Sequence, residues 1–262
     1  MKMKNLKIVL TSALLLFNWI AYSQDRGSII NKSGFSVAVG LNQIKEENLH
    51  PKVHAGLLWN FSYARDKLKS KFSSFDINIG YSEVRTQLED LNKTVNLNLL
   101  LQYGYTFKLF SSEKLRDFLG PQARLNYSLA FYPNWDESHL YWADYWSAGI
   151  TNILVYNINP KQNIIARIEM PIVSLSSRPE LNRQYKIDET SLTGVINNLH
   201  SNLQFGSVER VFYLTAGFEY QIVISNRISE AIGYSFQYAR VNASNGNPFQ
   251  NINHGLVLKL YF

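Results

Sequence analysis

The residues with the clearest chemical potential lie in Asn242-Ala243-Ser244-Asn245-Gly246, near the end of the chain. A serine hydroxyl becomes a nucleophile when a neighbouring base takes its proton. Asn242, two residues before Ser244, cannot act as that base, which leaves His254 as the candidate across a predicted hairpin. Asn-Gly is also the commonest turn of a β-hairpin. Ser244 and His254 are therefore a candidate catalytic pair, and an ordinary turn is the competing interpretation.

This segment resembles the His-x-Ser-Asn motif of outer-membrane lipid A deacylases and, more loosely, that of the barrel phospholipases. In those families a histidine two residues before the serine activates it, so the resemblance implies an acyl hydrolase with Ser244 as nucleophile. Because Asn242 stands at the histidine position, we expect a non-enzymatic protein, with the hydrolase as the alternative.

A second group of candidates consists of charged residues that alternate with apolar ones along the chain. Alternation would point all of them to the inside of a closed sheet: Asp76, Lys108, Arg124, Arg167, Glu169, Glu219 and Lys259. Crowded charges of both signs must be paired. We therefore expect an ion-pair network that plugs the lumen, and the alternative is a narrow polar pore.

Other chemistry finds no support in the sequence. The five histidines are scattered, and no metal-ligand spacing, phosphate loop or dinucleotide motif occurs, so we expect neither metal nor cofactor. Removal of residues 1–23 would leave 23 Lys and Arg against 20 Asp and Glu. This small excess carries no dense basic run, so we expect no nucleic-acid partner.

The chain begins with the pattern of a secretory signal peptide. Three lysines precede an apolar run from Ile8 to Ile20, and Ala21-Tyr22-Ser23 has the small residues of a cleavage site. A spanning helix needs about 20 apolar residues, more than this run contains. We therefore expect a signal peptide over residues 1–23 and one domain over residues 24–262. With no cysteine, the chain cannot be a lipoprotein acylated on cysteine.

The elements that would position these residues are β-strands, because large apolar residues occur at every second position. Hydrophobic residues make up 46% of the chain, yet its mean hydropathy is −0.17. The alternating segments are 35–42, 53–63, 75–82, 95–108, 118–131, 144–158, 162–175, 209–224, 228–242 and 252–262. The alternation weakens near Asn152, where a β-bulge would explain it.

The second face of these strands decides between two all-β architectures. A soluble β-sandwich alternates too, but its outward face carries charge. Here the second face is mostly Gly, Ser, Asn, Gln and Ala, as expected of a barrel lumen whose other face meets lipid. We predict a transmembrane antiparallel up-and-down β-barrel of about ten strands.

Connection lengths agree with this prediction. Membrane barrels have short periplasmic turns and longer extracellular loops. The predicted short turns are 65–71, 111–117, 159–161 and 225–227, and the predicted loops are 43–52, 85–93, 132–143, 176–208 and 243–251. Within the longest loop, apolar residues at Leu192, Val195, Ile196 and Leu199 predict a short amphipathic helix. It would lie across the barrel mouth or bind a partner.

The last residues, His254 to Phe262, alternate and end in phenylalanine. This ending resembles the C-terminal strand by which the barrel-assembly machinery recognises outer-membrane proteins. The chain is similar overall to small outer-membrane barrels of Bacteroidota. The resemblance implies a Gram-negative outer-membrane address. We also expect contact with outer-membrane lipid and lipopolysaccharide, and surface loops, above all 176–208, that bind a ligand or a surface or periplasmic protein partner.

The first prediction concerns export. N-terminal sequencing of the protein extracted from membranes should begin at Gln24, because the three-part N-terminus directs cleavage after Ser23. An N-terminus at Met1 would contradict it.

Overall fold

The computed structural model describes residues 30–46, 50–68, 71–86, 93–132, 139–179, 191–200, 202–225, 228–242 and 247–262. The predicted signal peptide and Ser244 lie outside these residues. The strands are β1 (Ile30–Glu46), β2 (His50–Leu68), β3 (Lys71–Arg85), β4 (Thr94–Ser111), β5 (Leu115–Tyr132), β6 (His139–Trp142), β7 (Asp144–Asn159), β8 (Gln162–Ser177), β9 (Gln204–Ser207), β10 (Val211–Val223), β11 (Ser229–Val241) and β12 (Phe249–Tyr261). One helix, α1, spans Leu192–Leu199.

Ten of these strands form a closed antiparallel ring. Each wall strand pairs with its neighbour in the chain, β12 pairs with β1, and β8 pairs with β10. The short strands β6 and β9 pair antiparallel with the loop-end parts of β5 and β8 and are not counted among the ten wall strands. The predicted all-β barrel of about ten strands is therefore confirmed. Within the described residues, no helix is long and apolar enough to cross a membrane.

The two ends of the barrel differ in their connections. At the end that we call the turn end, the strands are joined by residues 69–70, 112–114, 160–161 and 224–228. At the opposite loop end, three of the connections are much longer, and two of these contain β6, α1 and β9. The predicted long loop 43–52 is wrong, because β1 continues to Glu46 and β2 begins at His50.

The two faces of the wall have the predicted polarity. Outward side chains are apolar and well exposed, including Ile79 at 55% and Leu256 at 63%. Inward neighbours such as Asn42 and Ser82 are buried at 2% and 1%. An exposed apolar wall is unfavourable in water but suits the hydrocarbon of a membrane.

The β-bulge predicted near Asn152 is not found. Alternation continues through β7, and Asn152 is an outward residue whose Nδ2 donates to Asp117 Oδ1 at 2.7 Å. The pattern weakens in the sequence because Ile153 and Val155 are apolar but face inward, where they pack with Phe72 and Phe118. The irregularities of β7–β8 pairing lie instead at 148–149 and 157–159.

The last residue completes the seam between β12 and β1. The backbone of Phe262 exchanges two hydrogen bonds with Ser33, at 2.8 and 3.0 Å. Its ring also stacks on Phe35, with 5.8 Å between ring centroids. Phe262 is therefore part of the closure of the ring.

The outward faces generate the second prediction. Leu99, near the middle of β4, should tolerate arginine poorly, because a charge on the lipid face finds neither water nor a partner. The free energy of unfolding should fall by about 2–4 kcal/mol for arginine at the bilayer midplane and by about 0–1 kcal/mol for arginine near an interface. Phe110, which is outward and close to the end of the same strand, provides the matched Phe110→Arg control.

The measurement is equilibrium folding into lipid vesicles, followed by heat-modifiable gel mobility. Equal losses for Leu99→Arg and Phe110→Arg would contradict the depth dependence that a membrane wall requires.

Candidate functional site

The centre of the lumen is built around Arg124, which β5 directs inward. Its Nη2 atom lies 2.7 Å from Glu169 Oε2 of β8, and the two side chains are only 1% and 2% exposed. Nε donates to Gln102 Oε1 at 3.0 Å, and Nη1 donates to Thr215 Oγ1 at 3.0 Å. The guanidinium also lies 4.2 Å from the centroid of the Tyr213 ring. One buried cation thus joins β4, β5, β8 and β10.

A second ion-pair group lies beside the first. Arg167 Nη1 is 3.2 Å from Asp76 Oδ2 and 3.9 Å from Glu169 Oε1. Its Nη2 is 4.0 Å from Asp66 Oδ1. Because Arg167 contacts both Asp76 and Glu169, the two arginine centres form one connected network.

A third group extends toward the turn end. Lys259 Nζ lies 2.8 Å from Glu219 Oε1, and the Tyr261 hydroxyl donates to Glu219 Oε2 at 2.9 Å. Lys32 is a further cation in this region, and its ammonium donates to Ser229 Oγ at 3.2 Å. Cations and carboxylates therefore occur together in the half of the lumen that is nearer the turn end.

Six of the seven charged residues predicted for the lumen take part in these contacts. The seventh, Lys108, is exposed near the turn end of β4, beside an irregularity in the β4–β5 pairing. Sequence reasoning missed Asp66, although it continues the inward phase of β2 two residues after buried Ala64. Extending the alternation to the true strand end would have found it.

The loop end of the lumen is closed by a different group, which we call the loop-end cap. Its members are buried and mostly apolar: Ile44, Val84, Ala130, Tyr132, Tyr141, Ala143, Tyr145, Val211, Tyr213, Ala239, Val241 and Phe249. Tyr141 of the β5–β7 connection stacks on Phe249 of β12, with 6.2 Å between centroids. Since β5 and β12 are opposite each other in the ring, the cap crosses the whole opening.

A buried ion pair holds this cap. Arg178, directly after β8, places Nη2 3.0 Å from Glu46 Oε2 of β1, and both side chains are at most 3% exposed. Its Nη1 donates to the Val241 carbonyl oxygen at 2.7 Å. Glu46 continues the inward phase of β1, a signal that the shorter predicted strand omitted. Arg178 follows β8 in an irregular segment, where alternation gives no indication of its direction.

The candidate catalytic residues are not shown together. Ser244 lies outside the described residues. His254 lies on the outward phase of β12, five residues after the start of the strand, and so not at the rim where a rim-located hydrolase would need it. Its Nδ1 atom is 3.0 Å from the Tyr234 hydroxyl.

The predicted helix in the long loop is confirmed as α1, over Leu192–Leu199. His200, at its end, has Nε2 3.2 Å from the hydroxyl of Tyr127, and its ring lies 5.4 Å from that of Trp146. Tyr127 and Trp146 are on the outward phases of β5 and β7. The end of α1 therefore rests against the outside of the barrel, and the expectation that it crosses the mouth is wrong for this end.

Among the described residues, no group of three or more His, Cys, Asp or Glu side chains could hold a metal ion.

Comparisons with known proteins extend only to the fold. No family model matches the sequence, and no curated protein sequence matches it. The chain is similar to the crystal structure of the outer membrane protease OmpT from Escherichia coli, with a TM-score of 0.53 and 7% identity over 92% of this chain and 99% of that one. The chain is also similar to the translocator domain of the autotransporter NalP from Neisseria meningitidis, with a TM-score of 0.43 and 8% identity over 99% of this chain and 97% of that one.

The central ion pair generates the third prediction. Arg124→Met should leave Glu169 with only the more distant cation of Arg167, at 3.9 Å, and the expected loss for a broken buried pair is about 3–5 kcal/mol. Arg124→Met combined with Glu169→Met removes both charges and should recover much of that loss. Arg65→Met changes an exposed arginine of β2 and should cost no more than about 0.5 kcal/mol.

These free energies can be measured by urea unfolding of the barrel in lipid vesicles. If the double variant is as unstable as Arg124→Met, the two charges are not energetically coupled.

Proposed function

We propose that this chain is a non-enzymatic outer-membrane β-barrel with a closed lumen, which binds a ligand or partner at its outer surface. The observation that carries the proposal is the obstruction of the lumen at two levels. Arg124 and its partners cross the centre, and the loop-end cap with Arg178 and Glu46 crosses the opening. A solute would have to displace buried, paired charges at both levels, which is energetically costly.

The proposed address rests on the wall and on the end of the chain. The outward face exposes large apolar side chains around the ring, as required for contact with lipid. The closing strand ends in Phe262, whose position next to Ser33 suits a signal read by the barrel-assembly machinery. Export by the N-terminal signal peptide is part of this proposal.

The closed lumen restricts where binding can occur. Because the interior is occupied, a ligand must contact loops or the outer wall. The segment from Ser191 to Arg210 offers such a surface, since Phe205 is 73% exposed and Val208 is 47% exposed beside β8. These apolar side chains suit contact with the outer leaflet of the membrane. In a Gram-negative cell this leaflet consists of lipopolysaccharide, which is the partner that we propose.

The fourth prediction tests closure. The wild-type barrel, refolded and added to a planar lipid bilayer, should give no unitary conductance, because both obstructions stay in place. Arg124→Ala combined with Arg178→Ala removes the two cations that hold them and should give measurable conductance. Tyr234→Ala, on the outward face of β11, should stay silent like the wild type.

A wild-type protein that conducts steadily would overturn the proposal in favour of the narrow-pore alternative.

A further inference from the structure

Three cations lie close together on the outer wall at the turn end, on the hairpin of β2 and β3. Arg65 and Lys67 continue the outward phase of β2, Lys71 begins that of β3, and all three are exposed. Lys67 is paired with Ser73, so Lys71 is its diagonal neighbour across the hairpin, at a distance of about 7–8 Å. Arg65 is two residues from Lys67 along β2, which is about 7 Å. We call Arg65, Lys67 and Lys71 the basic patch.

The acids of the same part of the wall do not face the basic patch. In the turn-end half of β1 to β4 these acids are Asp66 and Asp76, and both point inward, to Arg167. The other two acids of these strands, Glu46 and Glu83, lie toward the loop end. Within the described residues of these four strands, the outward face at the turn end therefore carries only positive charge.

The basic patch lies where the apolar wall meets the turn end. Arg65 is paired with Phe75 and Lys71 with Phe107, and both rings are exposed on the same outward face. The ammonium of Lys71 lies over the rings of Tyr105 and Phe107, 5.3 Å from each centroid. Aromatic residues mark the two membrane interfaces of a barrel, and a lysine beside them extends its charge into the interface. In a bilayer, the three cations then lie at the depth of the lipid headgroups.

Lipid headgroups at this depth offer phosphate to the basic patch. Lys and Arg near a membrane surface are attracted to anionic lipids, and a phosphate accepts hydrogen bonds from several cationic donors at once. The short turns of an outer-membrane barrel face the periplasm, so the headgroups at the turn end are those of glycerophospholipids and not of lipopolysaccharide. We propose that the basic patch binds the headgroup of an anionic phospholipid, with Lys67 and Lys71 on one phosphate and Arg65 beside them. This inference rests on the proposed outer-membrane address.

The fifth prediction concerns lipid selectivity. The full barrel is reconstituted in phosphatidylcholine bilayers that contain spin-labelled phosphatidylglycerol or spin-labelled phosphatidylcholine. Electron paramagnetic resonance measures the fraction of each label that is held at the protein surface. The wild type should hold phosphatidylglycerol in preference to phosphatidylcholine, and the preference should weaken in about 1 M salt, where the Debye length is about 3 Å. Equal association of the two lipids with the wild type would overturn the proposal.

Variants assign the preference to the basic patch. Lys67→Gln combined with Lys71→Gln should lower it by about fivefold, the factor that one Lys or Arg contributes near an anionic surface. Lys114→Gln combined with Lys161→Gln removes two exposed cations from other turns of the same end and should keep the wild-type preference. An equal loss in both double variants would mean that only the total charge of the turn end matters, and the proposed site would be wrong.

Two further arms separate the patch from misfolding and from the other leaflet. Lys67→Arg combined with Lys71→Arg keeps both charges and should retain the preference; a loss as large as that of the glutamine variant would count against the patch. With spin-labelled lipid A in place of phosphatidylglycerol, the glutamine variant should behave like the wild type. A loss confined to lipid A would assign the patch to the outer leaflet and overturn the proposal.

Failure of the basic patch and failure of the proposed function give different results. A barrel that inserts into phosphatidylcholine but shows no selectivity contradicts only the patch, whereas a protein that folds without any amphiphile contradicts the membrane address. The Arg65→Met control of the third prediction belongs in phosphatidylcholine vesicles, where the patch has no anionic partner.

Discussion

The interior of this barrel depends on the buried ion pair between Arg124 and Glu169. Both charges are removed from water, and a buried charge is tolerated only when it is paired and hydrogen-bonded. Gln102 and Thr215 complete the donors and acceptors around Arg124, while Arg167 connects Glu169 to Asp76. These residues come from strands throughout the wall, so the pair also fixes how the two sides of the ring face each other.

The rest of the lumen keeps this network away from solvent. The loop-end cap covers it from one side, and the smaller apolar cluster of Phe72, Phe118, Ile153 and Val155 lies within the lumen as well. Excluding water lowers the local dielectric and strengthens each charge contact. A buried, paired interior of this kind supports the proposal of a closed lumen, and for that reason the binding role is proposed for the outside.

The outside of the barrel carries its own asymmetry. Where β8 reaches Pro171, its pairing with β10 has ended at Glu169, and β9 takes the next pairing positions from Val173 onward. Proline has no backbone N–H for a ladder hydrogen bond, which fits the break at this point. The chain before β9 includes α1 and His200, which contacts the outer wall. Through β9 and His200, the longest connection is held against the barrel wall.

The sequence by itself determined the two faces for most of the wall, the approximate number of wall strands, and the helix over Leu192–Leu199. Each of these depends on a local period, of two residues in a strand or 3.6 in a helix, which is visible in any short window. Local alternation also placed Arg124 and Glu169 inside.

Only the tertiary structure decided what those residues contact. Arg178 and Glu46 are separated by 132 positions in the chain, and their pairing depends on closure of the ring. The weakened alternation near Asn152 was wrongly attributed to a β-bulge, because apolar residues such as Ile153 and Val155 can pack inside a barrel as well as face lipid, and the period does not distinguish the two. Which buried polar groups find partners is likewise decided only when the strands come together, because hydrogen-bond satisfaction is a property of three-dimensional neighbours and not of sequence spacing.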